Sequence, residues 1–381
     1  MNGYNCGKDI GLAWIRPPET EIAFPDIKKP QPIGFFSLDS DRDFGANDIQ
    51  LRYYKPPNVD LFPLDLNIGL DRAIHKPESA RNELLDNLLK FIFDHYQKIF
   101  SNGQFPEFVS WRGLLRLLMC TPYEYRQDWC IHVTRFNNTI YLVERETEQK
   151  IYERSQETTY QKNCAAWGFK FEQYCLSESP FRGPDTSCPV NECEEFSMVF
   201  QTRLGGMNLL YGAEMDGVVS DQPLQLNYDK PIIEHLKFVE LKTRQAHSNE
   251  RQRTSFLRHK SRNWWCQSFL VGIEDLYVGI RNEKGLVRSI EHVETRSLPK
   301  SGAQNHWSPW VCANFLLQFL SRLKTITANE NCPYSVYEFY FNARTGQIKS
   351  QFIPGKTEHS FLPSWYIELV RRHNKSNTKL N

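Results

Sequence analysis

Hydrophobic and polar positions along the chain mark out a mixture of helices and strands. In ESARNELLDNLLKFIFDHYQKIF, residues 78–100, Leu84, Leu85, Leu88, Leu89, Ile92 and Phe93 recur at helical spacing, which predicts one amphipathic helix. SWRGLLRLLMC predicts a second, short helix. WCIHVTRFNNTIYLVERET alternates on both sides of Asn137-Asn138 and predicts a hairpin. NCAAWGFKFEQYCL predicts a helix over 163–176, and a polar loop follows over 177–192. EFSMVFQTRLG, LLYGAEMDGVV and EHLKFVELKTR then read as strands, before a long helix over roughly 253–270. Strands DLYVGIRN and GLVRSIEHV, the helix WVCANFLLQFLSRLKTI and strands YSVYEFYFN and QIKSQFI complete the pattern. The polar tail RRHNKSNTKLN, 371–381, is expected to fray. Mixed elements with hairpins among them predict an α+β fold, mixed β-sheets flanked by helices. No Pro/Gly/Ser-rich linker divides 1–381, so a single domain is expected.

Composition narrows this picture. The 381 residues are 40% hydrophobic and 13% aromatic, enough to bury a large core. Lys and Arg number 46 against 45 Asp and Glu, a formal charge of +1, so net charge favours no class of partner. The N-terminal MNGYNCGKDIGLAWIRPPET lacks a basic stretch leading into an apolar one and does not read as a signal peptide. No run of about 18 apolar residues occurs, so no membrane span is expected. Most of the ten cysteines sit inside apolar segments, as Cys120 and Cys266 do, and read as buried free thiols. Cys188 and Cys193 form a close loop pair, but no second pair follows at zinc-ligand spacing. A reducing compartment, cytosol or nucleus, is expected.

The chemistry concentrates in YGAEMDGVV and KFVELKTRQ. Residues two apart on a strand share a face, so Glu214 and Asp216 are expected to point one way, as are Glu240 and Lys242. If these strands pair, three carboxylates and an ammonium converge. Like charges so close repel and raise one another's pKa. A hard divalent cation relieves that repulsion, and Mg2+ or Mn2+ suits an all-oxygen set better than zinc. Acid, then acid-x-lysine on the next strand, is also the layout of PD-(D/E)xK nucleases. Two metal ions about 3.5–4 Å apart can then stabilise attacking and leaving oxygens at phosphorus. Taken by itself the pattern is common and more often describes an exposed sheet face with salt bridges. From Lys242 to Arg262 there are seven Lys or Arg and one acid, Glu250, which suits a polyanionic substrate or an ordinary solvated helix face. Trp264 and Trp265 read as core, and His247 and His259 as bystanders.

A wider set of motifs carries a family resemblance. FSLDSDRDFGANDIQLRYYKPP, SWRGLLRLL, TPYE, GFKFEQYC, GAEMDG, FVELKT, RHKSRNWWCQSFLVGI and FLPSWYIE together resemble the eukaryotic decapping exoribonuclease (DXO) family, in wording most like its animal members. The resemblance spans the chain and implies a PD-(D/E)xK nuclease-like core. It implies that Arg112 contacts substrate phosphate, and that Glu172, Glu214, Asp216, Glu240 and the Leu241 carbonyl hold metal. It further implies that Lys242 sits beside the attacking water and Gln267 near the scissile phosphate. Glu214, Asp216, Glu240 and Lys242 form the implied catalytic set; Arg112, Glu172, Lys242 and Gln267 meet substrate. Without the resemblance, Arg112 and Glu172 read equally as surface residues and Gln267 as a satisfied core amide.

The implied function is a metal-dependent hydrolase of RNA 5′ ends that removes incomplete or NAD caps, processes 5′ triphosphates and degrades RNA 5′ to 3′. The implied cofactor is Mg2+ or Mn2+, as two ions. A monomer is expected, nuclear in location with the cytoplasm as a second compartment. The alternatives are a non-catalytic 5′-end binding protein or stabilising partner of a nuclear 5′–3′ exonuclease, and a DNA nuclease of the wider superfamily.

Overall fold

The computed structural model describes residues 7–100, 105–227, 231–300 and 303–377. The longer strands are β1 (Gln31–Leu38), β2 (Phe108–Trp111), β3 (Trp129–Phe136), β4 (Thr139–Arg145), β5 (Glu195–Leu204), β6 (Met207–Glu214), β8 (Phe238–Gln245), β9 (Asp275–Arg281), β10 (Leu286–Glu294), β11 (Val336–Asn342) and β12 (Gln347–Ile353), with the two-residue β7 (Gly217–Val218) between β6 and β8. They build two mixed sheets. One has ten strands in the order Lys8–Asp9, β12, β11, β3, β4, β2, β6, β5, β1, Phe44–Gly45. The other has seven, ordered Leu64–Asp65, β10, β9, β8, β7, Tyr53–Tyr54, Leu176–Ser177.

The helices that matter for the site are α1 (Asp86–Asp94), α2 (Arg112–Cys120), α3 (Thr159–Cys175), α4 (Ser261–Phe269), α5 (Pro309–Ile326) and α6 (Ser364–Asn377). One apolar cluster joins residues of both sheets, Met198 and Tyr211 with Leu276 and Val278, to Leu115 of α2, Trp265 of α4 and Phe319 of α5. A second packs Leu88 of α1 and Tyr366 of α6 on the outer face of the ten-stranded sheet, against Tyr141 and Val143. A third sets Trp167 and Phe171 of α3 against Val239 and Leu241 of β8. The α+β expectation, with mixed sheets flanked by helices, describes this architecture.

Local chemistry explains some of the element boundaries. Asn137 and Asn138 both adopt positive φ, 52° and 63°, as the expected hairpin turn requires. Helix α3 starts with a capping box between Thr158 and Gln161. Three expectations need correction. The helix expected over 78–100 is broken: a 3-10 turn at Glu78–Asn82 precedes α1 and a short helix Tyr96–Phe100 follows it. Leu84 at the break has φ 45°, and its carbonyl accepts the Trp111 indole N–H at 2.6 Å, so it cannot serve a helical ladder. Ser110 and Trp111 belong to β2, and only from Arg112 does the chain turn helical. The tail expected to fray from 371 instead continues α6 to Asn377; residues 378–381 lie outside the described residues. Cys120, Cys130, Cys175, Cys193, Cys266 and Cys312 are buried free thiols, and Cys188 is exposed.

Candidate active site

The two sheets meet where the chain leaves one for the other. Strand β6 ends at Glu214 in the ten-stranded sheet, and β7, of the seven-stranded sheet, begins at Gly217. Glu214 and Asp216 therefore do not share a strand face as expected; they flank the crossover, with Met215 buried between them. The expected pairing of the two acidic segments is confined to β7, which meets β8 at Gly217–Val239 and Val218–Phe238. Beyond Val239 that edge of β8 is free of strand partners, and Asp216 takes it over: its Oδ2 accepts the Leu241 N–H at 2.6 Å. Within a strand a residue's N–H and C=O point to the same edge, so the Leu241 carbonyl also faces the Asp216 side.

Glu240 and Lys242 share a face of β8, as expected, and Leu241 packs on the opposite side with α3. Glu240 is 1% exposed and is the hub of a buried network. Its Oε1 accepts from Lys242 Nζ and from Gln267 Nε2 at 2.6 Å, and its Oε2 accepts from Arg112 Nη1 at 3.4 Å. Arg112 opens α2 directly after β2, which lies parallel to β6 with Trp111 opposite Gly212. A Cβ at residue 212 would lie 2.5 Å from the Trp111 ring, so only glycine lets that ring cross β6. Gln267 comes from α4, and Glu172 from α3. All the expected site residues are thus brought together from separate parts of the chain.

Electrostatics divides the four acids into two kinds. Burial pushes Glu240 up, but Lys242 and Arg112 outweigh it and hold its carboxyl below the usual range. Burial lowers Lys242, but Glu240 and Asp216 outweigh it, so the ammonium keeps its proton. The other three acids are driven toward neutrality. Burial, then Asp216 and Glu214, push Glu172 well up. Burial, then Glu240, push Asp216 up to about 6. Glu214 is surrounded by protein yet open to cleft water, which offsets part of the cost of its enclosure; Glu195 also pushes it upward. Three crowded carboxylates without a full complement of protein cations, beside a strand carbonyl, are the donor set of a hard divalent cation. Among the described residues no three of these acids bring an oxygen each within 4.8 Å of one another, so their carboxylates would have to draw inward around an ion.

Two cavities meet at Glu214 and Glu195. One, of about 680 Å³, is lined by Glu172, Asp216, Arg52 and Arg182; the other, of about 570 Å³, by Arg112, Gln267, Trp111 and Arg116. A larger one of about 860 Å³, around Phe24, Trp265 and Phe269, lies outside this group of acids. Sequence reasoning missed the cluster that supports Glu214. Glu195 pairs with Lys76 and, at 3.0 Å, with Arg42, which also grips Glu83 through Nε at 2.6 Å. Arg42 sits in FSLDSDRDFG with φ 64°, a conformation no residue pattern announced. The basic run is also only partly a surface. Arg251, Arg253, Arg258 and Lys260 are exposed on the helix leading into α4, but Arg262 is 1% exposed and lies over the Tyr123 ring. Trp264 and Trp265 are core residues, as expected.

A family model described as "RAI1 like PD-(D/E)XK nuclease" matches residues 28–367. The Drosophila melanogaster "Decapping and exoribonuclease protein Rai1" is 35% identical over 356 residues, which cover 91% of this chain and 93% of that protein. Among solved structures, Scheffersomyces stipitis Rai1 in complex with (3′-NADP)+ and calcium ion superposes with a TM-score of 0.77 at 20% identity, covering 90% of this chain and 96% of that one. Candida albicans Rai1 in complex with pU5-Mn2+ superposes with a TM-score of 0.77 at 19% identity, covering 96% and 98%. At these identities the structural likeness speaks to the fold.

Proposed function

Because the chain belongs to the RAI1-like PD-(D/E)XK nuclease family, we propose that it is a divalent-metal-dependent hydrolase of RNA 5′ ends, with decapping and 5′–3′ exoribonuclease activity. The observation that carries this reading is the convergence of Arg112, Glu172, Glu214, Asp216, Glu240, Lys242 and Gln267, from five segments of the chain, on one cleft.

Glu172, Glu214, Asp216, Glu240 and the Leu241 carbonyl would hold one or two Mg2+ or Mn2+ ions. Such ions supply positive charge for phosphate oxygens and lower the pKa of water. The remaining work falls to the chain itself. Lys242 is 22% exposed while its Nζ is bonded to Glu240, so the side chain is partly open to solvent. Glu240 and Asp216 favour its ammonium form, in which it would orient water by donating a hydrogen bond. Gln267 spends its Nε2 on Glu240, which leaves Oε1 to meet a water or a ribose hydroxyl. Arg112, held only loosely at 3.4 Å, can lean toward a phosphate oxygen as negative charge develops there. A 5′ end laid across Glu214 would place its cap in one cavity and its first nucleotides in the other.

The test is turnover of GpppRNA, NAD-RNA, 5′-triphosphate RNA and 5′-monophosphate RNA with Mg2+ or Mn2+. Hydrolysis is expected, and Glu214→Ala with Asp216→Ala should abolish every activity together. No turnover of any substrate overturns the reading; decapping that survives the double change overturns the shared site. The reading carries a monomer, nuclear first and cytoplasmic second, which light scattering and imaging of the tagged protein check. A purified protein that is inactive yet co-purifies with a 5′–3′ exonuclease would favour the binding role instead.

A further inference from the structure

A second group of ligand-type side chains lies on the outer face of the ten-stranded sheet, away from the cleft. Cys130 and His132 are two apart on β3 and so share a face. The antiparallel register sets Glu338 of β11 opposite His132. All three are buried. One ligand atom from each lies within 4.8 Å of the other two, and among the described residues no other trio of His, Cys, Asp or Glu is so close.

The simplest account is a buried His–Glu pair that ties two strands. It explains the 2.9 Å contact between His132 Nε2 and Glu338 Oε2. His132 Nδ1 is buried without a hydrogen-bond partner, so Nε2 alone ties the ring to the neighbouring strand. The Cys130 thiol stands against the same carboxylate and hydrogen-bonds to Glu338. Burial pushes the Cys130 thiol far up, so it is no nucleophile. The surroundings complete a site. Gln351 Nε2 donates to Glu338 Oε1 at 2.8 Å and fixes the carboxylate. Arg145 stands opposite Cys130 on β4 and favours the thiolate. His359, from the loop after β12, sets its ring edge-on to His132 with centroids 5.2 Å apart, and is partly open to solvent.

We propose that Cys130, His132 and Glu338 form a binding site for a borderline-soft divalent cation, Zn2+ foremost, with His359 at the fourth position. Sulfur, nitrogen and oxygen donors together select such an ion over Mg2+. Bonds of about 2.0–2.3 Å in a tetrahedron put ligand atoms roughly 3.3–3.8 Å apart, and the three ligand atoms here lie within 4.8 Å of one another. The charges balance: thiolate and carboxylate cancel the two charges of the ion, and imidazole binds neutral. As the sulfur–metal bond forms, the Cys130 S–H proton leaves to solvent, and the imidazole proton between His132 Nε2 and Glu338 moves to Nδ1, so the neutral ring offers Nε2 to the ion beside the carboxylate. Bound there, the ion clips β3 and β11 to the loop that leads into α6. It is distinct in donor chemistry from the all-oxygen cleft.

The experiment is a Co2+ titration of the chelator-treated full-length protein, read by absorption. One equivalent should bind with tetrahedral d–d bands and a thiolate-to-cobalt charge-transfer band, displaced by Zn2+ and not by Mg2+. Cys130→Ser should lose the charge-transfer band while keeping its circular dichroism. His359→Ala should weaken binding severalfold. Cys188→Ser, at an exposed thiol, should change nothing. If Cys130→Ser does not fold, Glu338→Gln replaces it and should weaken Co2+ at least tenfold. Absence of the charge-transfer band in the wild type overturns the proposal. So does its persistence in folded Cys130→Ser, or unchanged affinity in Glu338→Gln.

Discussion

Replacing Glu240 by Gln tests the electrostatic reading of the cleft most directly. The side chain is 1% exposed and receives hydrogen bonds from Lys242, Gln267 and Arg112. Removing one partner of a buried ion pair costs about 3–5 kcal/mol, because the other charge is left uncompensated. Two features place this case at the low end. Lys242 is 22% exposed and can hydrate, and the new amide oxygen can still accept from Gln267. A loss of about 3 kcal/mol follows. With about 2.1 cal/mol/K of unfolding entropy per residue, 381 residues give roughly 0.8 kcal/mol/K, so Tm should fall by about 4 °C in metal-free protein. The pH dependence has a definite sign. Burial raises Glu240, yet Lys242 and Arg112 bring it below the usual carboxylate range. Its contribution is therefore present above the unfolded-chain value of about 4.3 and is lost as pH falls through the folded value. The Tm gap between wild type and Glu240→Gln should be full near neutral pH and close as pH falls below the usual carboxylate range and through the folded value. Adding Lys242→Met, which removes the orphaned cation, should recover much of the loss without restoring activity. Calorimetry over a pH series, with chelator present, measures all of this. A gap that does not narrow in acid, or a Tm shift under about 1 °C, would refute the assignment of Glu240 as the buried counter-charge.

Three further outcomes follow from the same geometry. Lys242→Met alone should lower kcat by about 10²-fold or more while RNA affinity changes only a few fold, as single-turnover and filter-binding measurements would show. Gly212→Ala would set a Cβ against the Trp111 ring and should cost about 1–3 kcal/mol in denaturant unfolding, with tryptophan emission altered in the native state and activity reduced through the neighbouring Arg112. Changing Arg251, Arg253, Arg258 and Lys260 together to Gln should reduce the slope of log affinity against log salt by up to roughly 3 for single-stranded RNA, with no loss of thermal stability; an unchanged slope would remove that helix from the RNA path.

Features that depend on a few neighbouring residues were legible in the sequence. The Asn137-Asn138 turn, the shared face of Glu240 and Lys242 and the core placement of Trp264 and Trp265 all follow from local spacing. Glu172, Arg112 and Gln267 were placed through motif resemblance, because nothing in their spacing links three different helices. What failed was long-range. The 78–100 helix breaks because the Trp111 indole claims the Leu84 carbonyl from 27 residues away. Arg262 leaves the basic face because Tyr123, on another segment, offers it a ring and a carbonyl. The Arg42–Glu195–Lys76 cluster joins three segments whose sequences show only ordinary charged residues. The two acids of GAEMDG looked like one strand because alternation carries no mark of a change of sheet.

That change of sheet makes the cleft a gauge of alignment. Glu214 is anchored to the ten-stranded sheet and Asp216 to the seven-stranded one, with the Met215 side chain sunk in the apolar cluster that joins them. The spacing of the two carboxylates is then a function of how the sheets are seated on each other. A loosening of the shared core too small to unfold either sheet would be read first at these oxygens. Catalytic competence and tertiary integrity are in this way coupled through three consecutive residues, and a thermally worn molecule should fall silent before it falls apart.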